Sequence, residues 1–323
     1  MTPTGRSPAS WAVVSRAAAP PDSSAAVRDP QTDGPTNGSG RIGIDCAHEA
    51  AGVTSTSVRP GRPGHACWAY DDPAVFETRA QEFLLAGLAV GDRVRYVTPE
   101  PVPVVVERWR GVSRLRDALC TGAAEVCSVD DVYGSGPLDS DAQLASYTTM
   151  IEAALADGHA GWRIAADGTP LVLDPVRREA FARYEHMVDR FLRTRPMSAV
   201  CGYDRTRLDE RTIEELACLH PTSDPGISLF HLYAGAGGLV LDGELDTSNH
   251  DVFATAVRRA DHDPGDLVLH AEGLRFIDYR SLLHLHRHAA SRHGEVVLRT
   301  SLAPASRLVT LLGLSRVRVE VTR

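Results

Sequence analysis

Glu185 is the residue of this 323-residue chain whose surroundings most need a chemical explanation. After Pro175, the residues Phe181, Tyr184, Val188, Phe191 and Leu192 recur at helical spacing and define an apolar face, into which Glu185 also projects. A buried carboxylate is costly unless a charged or hydrogen-bonding group meets it. His65, the hydroxyls of Tyr70 and Tyr203, and backbone amides at strand ends are the candidates. The carboxylate then either ties helix to sheet or contacts a ligand. Cys201 and Asp204 straddle a predicted strand end and carry the same two readings. A Cys201 nucleophile would need His220 beside it. No third orienting group or oxyanion loop is recognisable, so catalysis is not expected.

Two further groups lie nearer the C-terminus. Asp246 and Asp278 each end a predicted strand, so neighbouring strands could bring both carboxylates to one sheet edge; alternatively each caps a helix. His284 and His288 have i, i+4 spacing and could share a zinc ion. Leu282, Leu285 and Ala289 set the buried stripe of that helix, with His286 beside it and His284 and His288 opposite. Two placed ligands fall short of the usual three or four, so no metal is expected there.

The elements that must position these residues follow from composition and pattern. A chain of this length suggests about two domains, and 43% hydrophobic residues suffice for globular cores. A net charge of -8 argues against direct nucleic-acid binding. No apolar run approaches the roughly eighteen residues needed to cross a bilayer, and Trp11–Val14 is too short for a signal-peptide core. No membrane association is expected, and a cytoplasmic location is. The six cysteines form no CxxC pair and read as free thiols, with no structural zinc site indicated.

Residues 1–60 are rich in Pro, Ser, Ala, Gly and Thr and read as a disordered tail. Over 61–222, strands and helices alternate. Asp72-Pro73 and Asp174-Pro175 start two helices. Further helices are predicted near 112–119, 140–156 and 209–219, and strands near 93–98, 125–129, 161–165 and 198–203. This alternation argues for a mostly parallel α/β sheet covered by helices. Residues 221–226 read as a linker. Over 227–323 come strands at 228–233, 239–245, 267–270, 295–299 and 316–321, with helices at 249–260, 280–293 and from Pro304. Such an order fits a small α/β sandwich.

His65-Ala66-Cys67-Trp68-Ala69-Tyr70, Gly87 to Asp92, Tyr184-Glu185, Cys201-Gly202-Tyr203-Asp204 and His220-Pro221 together resemble the MEDS sensory domain, a relative of RecA-like ATPases. The resemblance implies a RecA-like, mostly parallel sheet that senses a small, often organic, molecule. Its ligand pocket would draw on His65, Tyr70, Glu185, Cys201, Tyr203, Asp204 and His220. No GxxxxGK[ST] loop follows the first strands, so neither ATP hydrolysis nor a cofactor is expected.

Gly238 to Asp246, which ends Gly243-Glu244-Leu245-Asp246, and Leu274 to Leu282 resemble the STAS domain of anti-anti-sigma factors. In that family a serine just before a glycine is phosphorylated by a partner kinase. Here Arg280 stands in the serine's place and Ser281 in the glycine's. Asp246, Thr247, Asp278, Tyr279, Arg280 and Ser281 form the implied partner-binding and switch region, without serine phosphorylation at the usual position. The combined expectation is a non-enzymatic signalling protein that binds a kinase-like anti-sigma factor or related regulator. Its rivals are a divergent nucleotide-binding RecA-like enzyme and a stressosome-like scaffold.

Overall fold

A computed structural model of the chain describes residues 64–260 and 265–322. The expected tail over 1–60 lies outside the described residues.

The first part runs β1 (His65–Tyr70), α1 (Pro73–Ala89), β2 (Asp92–Thr98), α2 (Val102–Trp109), α3 (Ser113–Thr121), β3 (Ala124–Ser128) and α4 (Val129–Tyr133). It continues with α5 (Ser140–Ala156), β4 (Gly161–Asp167), α6 (Thr169–Val172), α7 (Pro175–Thr194), β5 (Met197–Asp204), α8 (Glu210–Ala217) and β6 (Thr222–Ser223). Its six strands form a parallel sheet in the order β3-β2-β4-β5-β1-β6. The central strands β4 and β5 are buried along their whole length. Parallel sheets need this cover on both faces, because their crossover helices return over each face. Both Asp-Pro pairs start helices as expected. Asp72 accepts from the Ala74 amide, and Asp174 accepts from Val176 and Arg177.

The second part runs β7 (Phe230–Gly235), β8 (Gly238–Leu245), α9 (His250–Arg259), β9 (Leu267–Ala271), β10 (Leu274–Ile277), α10 (Tyr279–Ser291), β11 (Val296–Thr300), α11 (Ala303–Leu311) and β12 (Val317–Val321). Its sheet is mixed. β10-β8-β9-β11-β12 pair in parallel and β7 is antiparallel to β8. Burial alternates residue by residue along β7 and β8, the mark of a sheet with one face on a core. Gly243, within Gly-Glu-Leu-Asp, has φ +98°, and a Cβ there would lie 2.2 Å from the Leu229 carbonyl oxygen. Only glycine fits this position, where β8 passes Leu229.

Val102–Trp109, rich in valine, adds a helix to those expected, and two local expectations are corrected. Proline is tolerated in a first helical turn, and Val105, Val106 and Trp109 bury one side. The segment expected to be a linker adds β6 to the edge of the first sheet. Asp224 then holds it, pairing with Arg79 at 2.8 Å and accepting from the Ala69 amide. Cys67, Cys127, Cys201 and Cys218 are free, but Cys120 is disulfide-bonded, against the expectation of six free thiols. Sequence spacing carries no information on the approach of two Cβ atoms.

The two sheets share one apolar core, which runs from Leu216 and Cys218 to Phe230 and Leu232. α7 packs on β7 and α8 on α9. The Leu232 amide donates to the Cys218 carbonyl (2.6 Å), and Arg259 pairs with Glu179 (2.8 Å) and Glu215 (3.0 Å). No helix among the described residues is long and apolar enough to cross a membrane.

Candidate functional site

Strand register and helix period bring His65, Glu185, Cys201 and His220 into one cluster. β1 and β5 pair His65 with Ala199 and Cys67 with Cys201, so His65 and Cys201 lie on the same sheet face, diagonal neighbours across two strands. Glu185 comes down onto that face from α7, and His220 from the turn after α8. One polar atom from each of the four falls within 4.8 Å of all the others, and all four residues are buried.

Glu185 Oε2 stands 3.1 Å from His65 Nε2 and 3.4 Å from His220 Nε2. Cys201 Sγ is 3.6 Å from His65 Nε2 and 3.7 Å from Glu185 Oε1. The Tyr203 hydroxyl donates to Glu185 Oε1 at 3.4 Å. Glu185 Oε2 and His220 Nε2 are close but form no aligned hydrogen bond. Behind them, His220 Nδ1 meets the Leu216 carbonyl at 2.9 Å, and His65 Nδ1 lies 3.6 Å from Asp189.

Burial alone would raise the Glu185 carboxyl, but His220 and His65 outweigh it and hold it below its ordinary value. Burial would likewise lower the His65 imidazole, yet Asp189, Cys201 and Glu185 together hold it well above its usual value. His220 is pushed down to about 4, by burial and then by His65. Burial and the Glu185 charge push the Cys201 thiol up to about 11. The cluster is thus a charged His65–Glu185 pair beside a neutral imidazole and a thiol.

A small cavity opens beside the cluster. Tyr133, Tyr147, Tyr184, Val188 and Met197 line it with His65, Glu185 and Cys201. The Tyr133 and Tyr184 hydroxyls meet that of Tyr147 at 3.2 and 3.1 Å.

Two of the seven sequence-derived pocket residues lie apart from this cluster. Tyr70 ends β1 and donates to Asp167 Oδ2 at 2.7 Å. Asp204 ends β5, where it accepts from the Thr206 amide and hydroxyl while its own amide donates to Thr169. Both stand at carboxyl ends of strands, where open α/β sheets usually bind ligands. His65, Glu185, Cys201, Tyr203 and His220 instead gather between the sheet face and its helices. Asp189 was missed by the sequence reading, although it is one helical turn beyond Glu185 and so shares its face. Nothing in the local pattern singles out Tyr133 or Tyr147.

In the second part, β8 and β10 are neighbours, and the Asp278 amide donates to the Leu245 carbonyl (2.9 Å). Asp246 and Asp278 therefore follow adjacent strands. Asp278 caps α10, accepting from the Ser281 amide at 2.8 Å, while Asp246 closes a turn onto Ser248. Hydrogen bonds from the Ser248 side chain and amide hold the Asp246 carboxyl below its usual value. Ser281 is fully buried, so its hydroxyl is closed to a kinase in this state. Thr247, Tyr279 and Arg280 are exposed, and the Arg280 guanidinium bonds the Tyr279 hydroxyl at 3.2 Å. Exposed Phe276 extends this edge. His284 stacks on His250, and donor atoms of these two and of Asp251 lie within 4.8 Å of one another.

Residues 64–221 match the family model of MEDS, the methanogen/methylotroph DcmR sensory domain. The match spans the whole His-Glu-Cys-His cluster and ends just beyond His220. A role in signalling is consistent with that match. No curated protein matches the chain.

Proposed function

We propose that this chain is a signalling protein whose MEDS domain reads a small ligand at the His65–Glu185–Cys201–His220 cluster, and whose second, STAS-like part passes the signal to a protein partner. The observation that carries the reading is the position of α7. Its Glu185 and Asp189 face the cluster, while Asp189 Oδ2 accepts from the Ala234 amide in β7 at 2.9 Å. One helix therefore touches both the ligand site and the second sheet. Any ligand that favours one placement of α7 would bias the second sheet by its difference in affinity for the two placements.

The output partner in this reading is an anti-sigma factor or related regulator, so transcription is altered indirectly. The exposed edge of Phe276, Tyr279 and Arg280 supports a docking surface there. Burial of Ser281 and the arginine at 280 support a switch that does not depend on serine phosphorylation at this position. The RecA-like and STAS assignments belong to the same proposal. They are supported by the parallel sheet and by the small mixed sheet in which Asp246 and Asp278 follow adjacent strands.

Pull-down from native cell extract with the full chain as bait tests the reading. The wild type should retain a sigma-regulatory protein that Tyr279→Ala with Arg280→Glu loses. Retention of the same proteins by both baits would overturn the docking edge. Phosphate found on Ser281 of the folded chain after incubation with kinase and ATP would overturn the switch.

A further inference from the structure

We infer that His65, Glu185, Cys201 and His220 form a tetrahedral site for a divalent metal of the zinc class. The donor set is two imidazoles, a carboxylate and a thiolate, all of them accepted zinc ligands. Zinc bond lengths place tetrahedral N or O neighbours about 3.3 Å apart, and sulfur about 3.6 Å from N or O. Three separations match this pattern: Nε2 of His65 and Nε2 of His220 lie 3.1 and 3.4 Å from Glu185 Oε2, and Cys201 Sγ lies 3.6 Å from His65 Nε2. Cys201 Sγ is 3.7 Å from the other carboxylate oxygen, Oε1, and one donor atom of each of the four residues lies within 4.8 Å of the rest.

Orientation supplies a second, independent observation. Glu185 Oε2 and His220 Nε2 are fully buried and near each other, yet neither has a hydrogen-bond partner. Glu185 Oε2 also stands 3.1 Å from His65 Nε2, and the four donor atoms lie as close to one another as a shared ion requires. The outer groups agree as well. Metal-bound histidines usually direct their second nitrogen to a carbonyl or carboxylate. Here His220 Nδ1 meets the Leu216 carbonyl, and His65 Nδ1 faces Asp189.

Charge balance favours a divalent ion. Binding sends the Cys201 thiol proton and the His65 proton to solvent. The thiolate and the Glu185 carboxylate then cancel both metal charges inside a buried site. Four protein ligands leave no open coordination position, which suits a structural or sensing metal rather than a catalytic one. As the signal itself, the metal rests on the functional reading above; as a binding site, it does not.

Cobalt(II) titration of the chelator-treated full-length chain tests the site, with circular dichroism as the check on folding. The wild type should give the visible bands of tetrahedral cobalt and a near-ultraviolet thiolate-to-cobalt band, both saturating at about one equivalent and displaced by zinc. Cys201→Ser should abolish the thiolate band. Asp189→Asn removes the carboxylate charge facing His65 Nδ1 while its amide oxygen can still accept from the Ala234 amide, and it should weaken binding about 10–100-fold. A folded wild-type chain without these bands, or a thiolate band that persists in Cys201→Ser, would overturn the proposal. Should the serine variant not fold, the wild-type spectrum and the Asp189→Asn shift decide alone. Failure of the signalling reading would appear elsewhere, as partner retention that is the same with and without zinc while the cobalt spectrum stays intact.

Discussion

Glu185 shows how one side chain can be both necessary and expensive. Burial disfavours its charge, and only the imidazoles around it make the ionised form tolerable. Glu185→Ala should therefore cost about 3–5 kcal/mol, because it strands the His65 charge in a closed site. Urea denaturation followed by circular dichroism measures this, and a loss under about 1 kcal/mol would show that the pair is dispensable. Glu185 was legible in the sequence because an acidic residue interrupts an apolar helical face. Its partners were legible only in part. His65 and Tyr203 were named, but Tyr70 was named with them and instead meets Asp167. Period-2 alternation cannot tell which position along a strand an opposing helix will cover.

Among the elements, β8 and α10 carry the second part's signature. Gly243 sits at φ +98° with the Leu229 carbonyl against it, so Gly243→Ala combines left-handed strain with a clash. It should cost at least about 1–3 kcal/mol, read as a lower thermal midpoint. An unchanged midpoint would mean that β8 can shift away from Leu229. Asp278→Ala removes the cap of α10 and should cost about 0.5–2 kcal/mol. Hydrogen exchange at the first-turn amides, Ser281 included, would report it as faster exchange confined to that turn. The Asp278 cap was readable beforehand, since an aspartate before a helix has a local cause, whereas the demand for glycine at 243 comes from the approach of Leu229. Helix α2 was not readable either. Its valines favour a strand, and only the space for Val105, Val106 and Trp109 against the first sheet decides otherwise.

At the scale of the whole molecule, Arg259 joins the two sheets through Glu179 and Glu215. Burial pushes the Glu179 carboxyl up, but Arg259 and then Arg183 outweigh it, leaving it below its usual value. A carboxylate so lowered stabilises the fold above its unfolded pKa, about 4.3, and loses that contribution as pH falls through its folded value. Glu179→Gln should therefore be less stable than wild type near neutral pH and nearly equal to it by about pH 3. Denaturation midpoints at both pH values check this, and a gap that persists in acid would remove Glu179 from the linkage. Arg259→Ala leaves two carboxylates facing each other at the interface and should lower the unfolding midpoint of the second sheet more than that of the first. Equal shifts in both would show that the shared core, not the ion pairs, sets the coupling.

The sequence by itself determined the alternation of strands and helices, the Asp-Pro helix starts, the buried acid at 185 and the pair of aspartates that follow strands. These have causes within a few residues: side-chain period, cap chemistry and the geometry of proline and glycine. Tertiary structure decided which distant residues meet. His65 and Cys201, 136 residues apart, share a site because β1 and β5 pair in one register, with α7 and α8 closing over that face. Strand order and register come from cooperative burial across the whole sheet, which no local pattern encodes. For that reason two histidines, a glutamate and a cysteine whose spacing gave no sign of a shared site come together in one buried cluster.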